Sequence, residues 1–139
     1  MLEILYEDNH LIAVNKKSGD IVQGDKTGDA PLSDFVKAYI KKKYNKAGDV
    51  FLGTIHRLDR PTSGIVLYAR TSKALSRMNE QFREKKVQKT YWAVVDKAPP
   101  NSSGTLDNHL QKNQKQNKSY VTKTEDGKHA ILDFKLLKK

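Results

Sequence analysis

The polar run from His56 to Gly64 ends directly on a short apolar stretch, Ile65 to Ala69, and this junction limits how the chain can fold. A continuous apolar run of this length, preceded by turn residues, is typical of a buried strand. The polar run holds one carboxylate, Asp59, between the guanidiniums of Arg57 and Arg60. The sequence therefore predicts an acidic residue in a turn at the mouth of a core strand, among cations that suit an anionic substrate.

Helices and strands alternate in the first two thirds of the chain. Leu11 to Val14 predicts a strand, and Pro31 predicts the first turn of a helix whose apolar stripe is Leu32, Phe35, Val36, Tyr39 and Ile40. Thr71 or Ser72 can cap a second helix, whose inner stripe is Leu75, Met78 and Phe82. This order, followed by strands, predicts an α+β fold with a mixed, largely antiparallel sheet and flanking helices.

The last third predicts strands and turns. The stretch 87–95 is rich in Tyr, Trp, Thr and Val and predicts a strand. The stretches 120–124 and 130–137 predict a hairpin around Asp126-Gly127. The stretch 111–118 has no apolar residue and predicts a mobile loop. Its three lysines either contact RNA phosphates or are simply solvated.

Length and composition narrow the class of protein. A chain of 139 residues predicts one domain, and the absence of cysteine excludes disulfides and thiolate zinc sites. The acidic N-terminus is too short in apolar residues for a signal peptide or a membrane span, so we expect a cytoplasmic protein with no membrane partner.

Positive charge is concentrated in one part of the chain. The net charge is +10, but residues 1–40 carry −3 and residues 41–139 carry +13. Such asymmetry indicates either a face for a polyanion such as nucleic acid or a lysine-rich solvated surface.

The sequence lacks the motifs of several common kinds of metal and catalytic site. The four histidines, which are far apart, lack metal-ligand spacing, so we expect no metal site. The chain also lacks a phosphate-binding GxxxxGK[ST] loop, a GxGxxG turn and a GxSxG elbow. Asp59 remains the candidate, either as a reactive carboxylate or as a helix cap or ion-pair partner of Arg57 or Arg60.

The run His-Arg-Leu-Asp-Arg-Pro-Thr-Ser-Gly closely resembles the HRLDxxTSG signature of the RluA-type RNA pseudouridine synthases. The stretch 15–19 resembles an NKPSG-like segment of that family, with Lys17 in place of proline. The stretch 89–95 resembles its KxYxAxV strand. The resemblance implies that Asp59 is the catalytic nucleophile and that Tyr91 packs against the target uracil. It also implies that Arg57 fills the space that the flipped base leaves.

The resemblance implies isomerisation of uridine to pseudouridine in structured ribosomal or transfer RNA, without a metal or cofactor. We expect further RNA contacts from Arg60, Lys89 and Lys16. Residues 100–139 lack the family's GRxHQIR-like segment, whose Arg pairs with the catalytic Asp, so we expect residues 1–139 to be an N-terminal portion of a catalytic domain, without an S4 domain. The alternative is a catalytically incomplete RNA-binding fragment. Exposed sheet edges would then favour self-association of the chain.

Overall fold

The computed structural model describes residues 2–25, 28–123 and 126–138. The chain forms two compact units, residues 1–89 and 90–139, which are described separately. The interpretation as one domain stays a prediction. Neither helix in the described ranges has the length and apolar character needed to cross a membrane.

The first unit is built on a four-stranded sheet with the order β1-β2-β4-β3. Its strands are β1 (Ile4–Glu7), β2 (Leu11–Lys16), β3 (Gly53–Thr54) and β4 (Gly64–Ala69), and all its pairings are antiparallel. The predicted strands at 11–14 and 65–69 are the two central ones. Each central strand can therefore bury a face against a helix while its backbone stays fully paired.

Helix α1 (Leu32–Lys43) supplies the other half of the core. Leu32, Val36 and Ile40 are buried against alternate residues of the two central strands. These alternate residues, which share one face of the sheet, are Ile12, Val14, Val66 and Tyr68. Phe35, which we placed in the buried stripe, is instead 54% exposed. The apolar stripe of α1 is therefore narrower than predicted.

The connection from β2 to α1 is fixed by a buried tyrosine. The hydroxyl of Tyr68 on β4 donates to the carbonyl of Val22 at 2.6 Å, and its side chain is fully buried. Burial raises the pKa of Tyr68 far above its ordinary value, so the hydroxyl keeps its proton. The strand that follows the polar run thus also holds the segment that leads into α1.

Helix α2 (Ser72–Arg83) begins as predicted, with Thr71 as its cap. The Thr71 hydroxyl accepts a hydrogen bond from the backbone N–H of Ala74 at 3.1 Å, which satisfies one of the free donors of the first turn. The helix packs against β3 and β4. It lies so close to β3 that a Cβ on Gly53 would be 2.7 Å from Leu75 Cδ2. Glycine at this position therefore permits the close approach.

The second unit is a three-stranded antiparallel sheet with the order β6-β5-β7. Its strands are β5 (Ser103–Asn113), β6 (Lys118–Thr122) and β7 (Lys128–Lys135). Both units together confirm the α+β fold with antiparallel sheets and two helices. No parallel pairing occurs in the described ranges, so the mixed component that we expected is not seen there.

Two predictions about this sheet are wrong. The stretch 111–118 is not a loop, because β5 and β6 extend into it and leave only a tight turn at 114–117. β6 and β7 do not form a hairpin with each other, because each pairs with β5 on opposite sides. Gly127 lies against His109 of β5, where a Cβ would meet Thr122 Cγ2 at 2.5 Å. The chain does turn at Asp126 and Gly127, and the glycine also allows it to pass close to the central strand.

The predicted strand at 87–95 is also wrong, since none of its residues belongs to a strand. Trp92 is 88% exposed, and Val95 is 62% exposed. Residues of high β propensity form a strand only when a neighbour supplies hydrogen bonds and packing, and the described residues supply neither for this stretch.

Candidate active site

The polar run lies in the loop between β3 and β4, with its turn at Arg60 and Pro61. The carbonyl of Asp59 accepts from the backbone N–H of Thr62 at 3.0 Å, which closes the turn. Gly64 then begins β4 with a φ of 134°, a backbone conformation that favours glycine. The local backbone therefore accounts for the turn and for the glycine at the end of the run.

The buried side chain of Lys16 holds the backbone of this loop in place. Its ammonium donates to the carbonyls of Thr62 at 2.7 Å, Arg60 at 3.0 Å and Asp59 at 3.2 Å. A fourth bond reaches the carbonyl of Lys17 at 3.1 Å. The residue is fully buried, and burial lowers the pKa of its amine below the ordinary value. We expected Lys16 to contact RNA, but an ammonium enclosed by carbonyls has no free surface for a phosphate, so we assign it to the loop.

Asp59 extends from this fixed backbone as an exposed residue. Within the described part of the first unit, its carboxylate has no hydrogen bond or ion pair. The alternatives that we left open, a helix cap or an ion pair with Arg57 or Arg60, are therefore not realised in this unit. The arrangement is a loop whose backbone is held by hydrogen bonds, with a carboxylate that is unpaired among the described residues of this unit.

The cations around Asp59 have separate positions. Arg60 pairs with Asp29 across 2.5 Å, and both side chains are about half exposed. Arg57 is exposed, and no partner is found for it among the described residues of the first unit. Lys89 is also exposed, and its charge acts on His56. Arg57, Arg60 and Lys89 therefore lie in the first unit with Asp59, whereas Tyr91 belongs to the second unit, where it is 58% exposed.

His56 anchors the start of the loop, a role that the sequence motif alone does not reveal. Its Nε2 accepts the backbone N–H of Leu67 on β4 at 3.0 Å. Its ring stacks on Phe82 of α2, with the ring centroids 5.2 Å apart and the planes 17° apart. Burial lowers the pKa of His56, and the charge of Lys89 adds to this effect. The geometry requires the neutral ring, because protonation of Nε2 would remove the acceptor.

We predict that acid destabilises the first unit through His56. Because the pKa of His56 is lower in the folded state than the ordinary value of about 6.5, the unfolded chain binds the proton first as pH falls. The free energy of unfolding is therefore lost as pH falls below the unfolded pKa and through the lower folded one. Urea unfolding followed by circular dichroism from about pH 7.5 to pH 5 would measure this loss.

The matched control for this prediction is a second histidine. His56→Gln should flatten the pH dependence in this range, whereas His10→Gln, at an exposed position, should keep the wild-type slope. An unchanged slope in His56→Gln would contradict the assignment.

Comparison with known proteins identifies the class of protein that this fold and loop define. A family model described as RNA pseudouridylate synthase matches residues 10–139. The chain belongs to this family, and the RluA-type resemblance of its motifs is confirmed.

Among curated proteins, the chain is similar to a ribosomal large subunit pseudouridine synthase C from Vibrio vulnificus, with 37% identity over 98% of this chain and 41% of the relative. It is also similar to a tRNA pseudouridine synthase C from Haemophilus influenzae, with 46% identity over 68% of this chain and 38% of the relative. The chain thus spans about two fifths of these relatives.

A solved structure shares the fold. The human protein named RNA Pseudouridylate Synthase Domain Containing 4 matches with a TM-score of 0.75 and 24% identity, over 93% of this chain and 51% of the other. At this sequence identity, the similarity shows a shared fold.

Proposed function

We propose that this chain carries the nucleophile of an RNA pseudouridine synthase, and that the nucleophile is Asp59. The observation that supports this most is an exposed carboxylate, unpaired among the described residues of the first unit, on a backbone that Lys16 holds at three neighbouring carbonyls. A nucleophile needs to be ionised, accessible and correctly placed, and a rigid turn on a core strand provides the placement. We infer the reaction itself from the family to which the chain belongs.

The chemistry is an isomerisation in which the carboxylate acts covalently. The uridine must leave the base stack, because its glycosidic bond is inaccessible inside a helix. Asp59 then forms a bond with ribose C1′ or with uracil C6, and the bond between C1′ and N1 breaks. After the uracil rotates, C1′ bonds to C5, the C5 proton goes to solvent, N1 gains a proton and the carboxylate is released. Both routes need the same free carboxylate.

The exposed arginines suit the RNA side of this reaction. Arg57 has an exposed side chain in the same loop as Asp59, and we assign it to the space left by the flipped base. Arg60 can exchange Asp29 for a phosphate at little cost, because an ion pair between half-exposed side chains contributes at most about 1 kcal/mol. We assign Lys89 to the RNA as well, since it is exposed and positively charged.

The relatives suggest the substrate class. Their names refer to the ribosomal large subunit and to tRNA, and we propose ribosomal or transfer RNA as the substrate. The test is release of tritium from transcripts that contain 5-³H-uridine, followed by identification of pseudouridine in the digested product. Release that is accompanied by pseudouridine supports the proposal, and its absence from both RNA classes contradicts it.

A second candidate is RNA binding without turnover. It is favoured by the absence of a cation paired with Asp59 in the described part of the first unit, because a nearby arginine would favour the charged form of a carboxylate and orient it. Tight RNA binding by the chain without tritium release would support this candidate over the first.

Tyr91 provides a prediction about the chemical step. Its exposed ring is available to pack on a flipped base, so Tyr91→Ala should lower turnover about tenfold or more while RNA affinity changes by less, since phosphate contacts supply most affinity. Tyr91→Phe, which keeps the ring, is the matched control and should retain most turnover. Equal losses of single-turnover rate and binding in Tyr91→Ala would argue for a purely structural role.

A further inference from the structure

The hairpin formed by β5 and β6 carries lysines without acidic residues around its turn. We call residues 108–123 the lysine hairpin. This stretch contains four lysines, Lys112, Lys115, Lys118 and Lys123, and no Asp or Glu. All four are exposed, and none forms an ion pair with a described residue. In contrast, Lys43 and Lys86 elsewhere in the chain are neutralised by carboxylates at 2.7 Å and 2.5 Å.

The tip of the lysine hairpin has a defined shape. The side-chain oxygen of Asn113 accepts from the backbone N–H groups of Lys115 at 3.1 Å and Gln116 at 3.2 Å. The hydroxyl of Tyr120 donates to Gln116 Oε1 at 2.6 Å, and Asn117 completes the turn with a φ of 50°. The backbone that carries the lysines is therefore already ordered, so binding need not supply its ordering entropy.

The lysines diverge from this tip. Lys112 lies opposite Ser119 and Lys118 lies opposite Asn113 in the register of the two strands. Because neighbouring positions on a strand point to opposite faces, these two lysines leave the hairpin on different faces, and Lys115 lies in the turn between them. Diverging cations do not enclose one small anion. They suit an extended polyanion whose charges are distributed around the hairpin.

We propose that the lysine hairpin is an arm that binds the phosphate backbone of RNA. The proposal rests on the proposed function, because it takes RNA as the partner. The arm contributes affinity and orientation and reads no bases, since lysine contacts with phosphates carry no sequence information. The glutamine, asparagine and serine side chains between the lysines can add hydrogen bonds to phosphate and sugar oxygens.

The test replaces charge on the hairpin and compares it with equal charge elsewhere. Lys112, Lys115 and Lys118 are changed together to Gln, and the control changes Lys41, Lys42 and Lys46, which are exposed near the end of α1, together to Gln. Filter binding to the tritium-assay transcript is measured from about 50 to 400 mM salt. The hairpin variant should bind about ten- to a hundredfold less tightly at the lowest salt. The slope of log affinity against log salt concentration should become less steep by about two.

In the control variant, the loss of affinity and the change in salt slope should each be less than half as large. Changing the same three hairpin lysines to Arg should restore RNA binding. Equal losses in the hairpin and control variants, or wild-type binding by the hairpin variant, would overturn the proposal. Circular dichroism checks that each variant folds. A chain that binds through the hairpin but releases no tritium would refute the proposed function alone, and a chain that does not bind RNA at all would refute both.

Discussion

Asp59→Asn should abolish pseudouridine formation while leaving RNA binding nearly unchanged. The amide has the size and shape of the carboxylate but cannot act as the nucleophile, so we expect turnover to fall about a thousandfold or more. The backbone of the loop should not move, because Lys16 binds the Asp59 carbonyl and not its carboxylate. Tritium release under single-turnover conditions, together with filter binding, would measure both quantities.

The control for this substitution is Asp49→Asn, which makes the same charge change at an exposed position outside the loop. It should keep turnover within a few-fold of wild type. Turnover retained in Asp59→Asn would rule out Asp59 as the nucleophile, and a parallel loss of RNA binding would indicate that the carboxylate shapes the site and does not react.

Lys16→Met should lower both the stability of the first unit and the turnover of the folded protein. The substitution keeps most of the apolar stem but removes the ammonium that donates to four carbonyls. The carbonyls of Lys17, Asp59 and Arg60 each keep a backbone donor, whereas that of Thr62 keeps none among the described residues. Hydrogen bonds to charged groups contribute about 1.5–3 kcal/mol, and the Thr62 carbonyl that loses its donor adds its own penalty. We therefore expect the free energy of unfolding to fall by about 2–4 kcal/mol.

Lys17→Met separates this effect from the loss of one positive charge, because Lys17 is exposed and adjacent. Urea unfolding should show little change in that control. If both variants unfolded at the same urea concentration, the bonds from Lys16 to the loop would have no role in stability. Turnover measured on the folded fraction then tests whether the loop still presents Asp59.

Local sequence signals predicted the elements that depend on neighbours in the chain. The Thr71 cap depends on contacts within a few residues and is confirmed. Helix α1 begins at Leu32, and Pro31, which we placed in its first turn, is instead its N-cap. A strand follows the polar run as its apolar residues predict, although Ile65 is 63% exposed. The errors concern partners that are distant in sequence. The stretch 87–95 has the composition of a strand but no neighbour to pair with among the described residues, and β7 pairs with β5 in place of the adjacent β6.

The same distinction applies to the site. The motif predicted a loop around Asp59, but the partners of the cations were not predictable, since Asp29 is distant from Arg60 in sequence. The role of Lys16 could have been predicted from the sequence. It follows Ile12 and Val14 at alternate positions of one strand, so its side chain points to the buried face, where an ammonium needs acceptors.

Among the described residues, the ammonium of Lys16 donates only to backbone oxygens, and this has a consequence for engineering the loop. A tether to side chains would tie the path of the loop to the residues present, whereas a tether to carbonyls is the same whatever side chains residues 59, 60 and 62 carry. The path of the loop backbone therefore does not depend on the side chains that carry its chemistry. New side chains at positions 59 and 60 could be screened on an unchanged backbone, which makes this short segment suitable for redesigning reactivity without redesigning the fold.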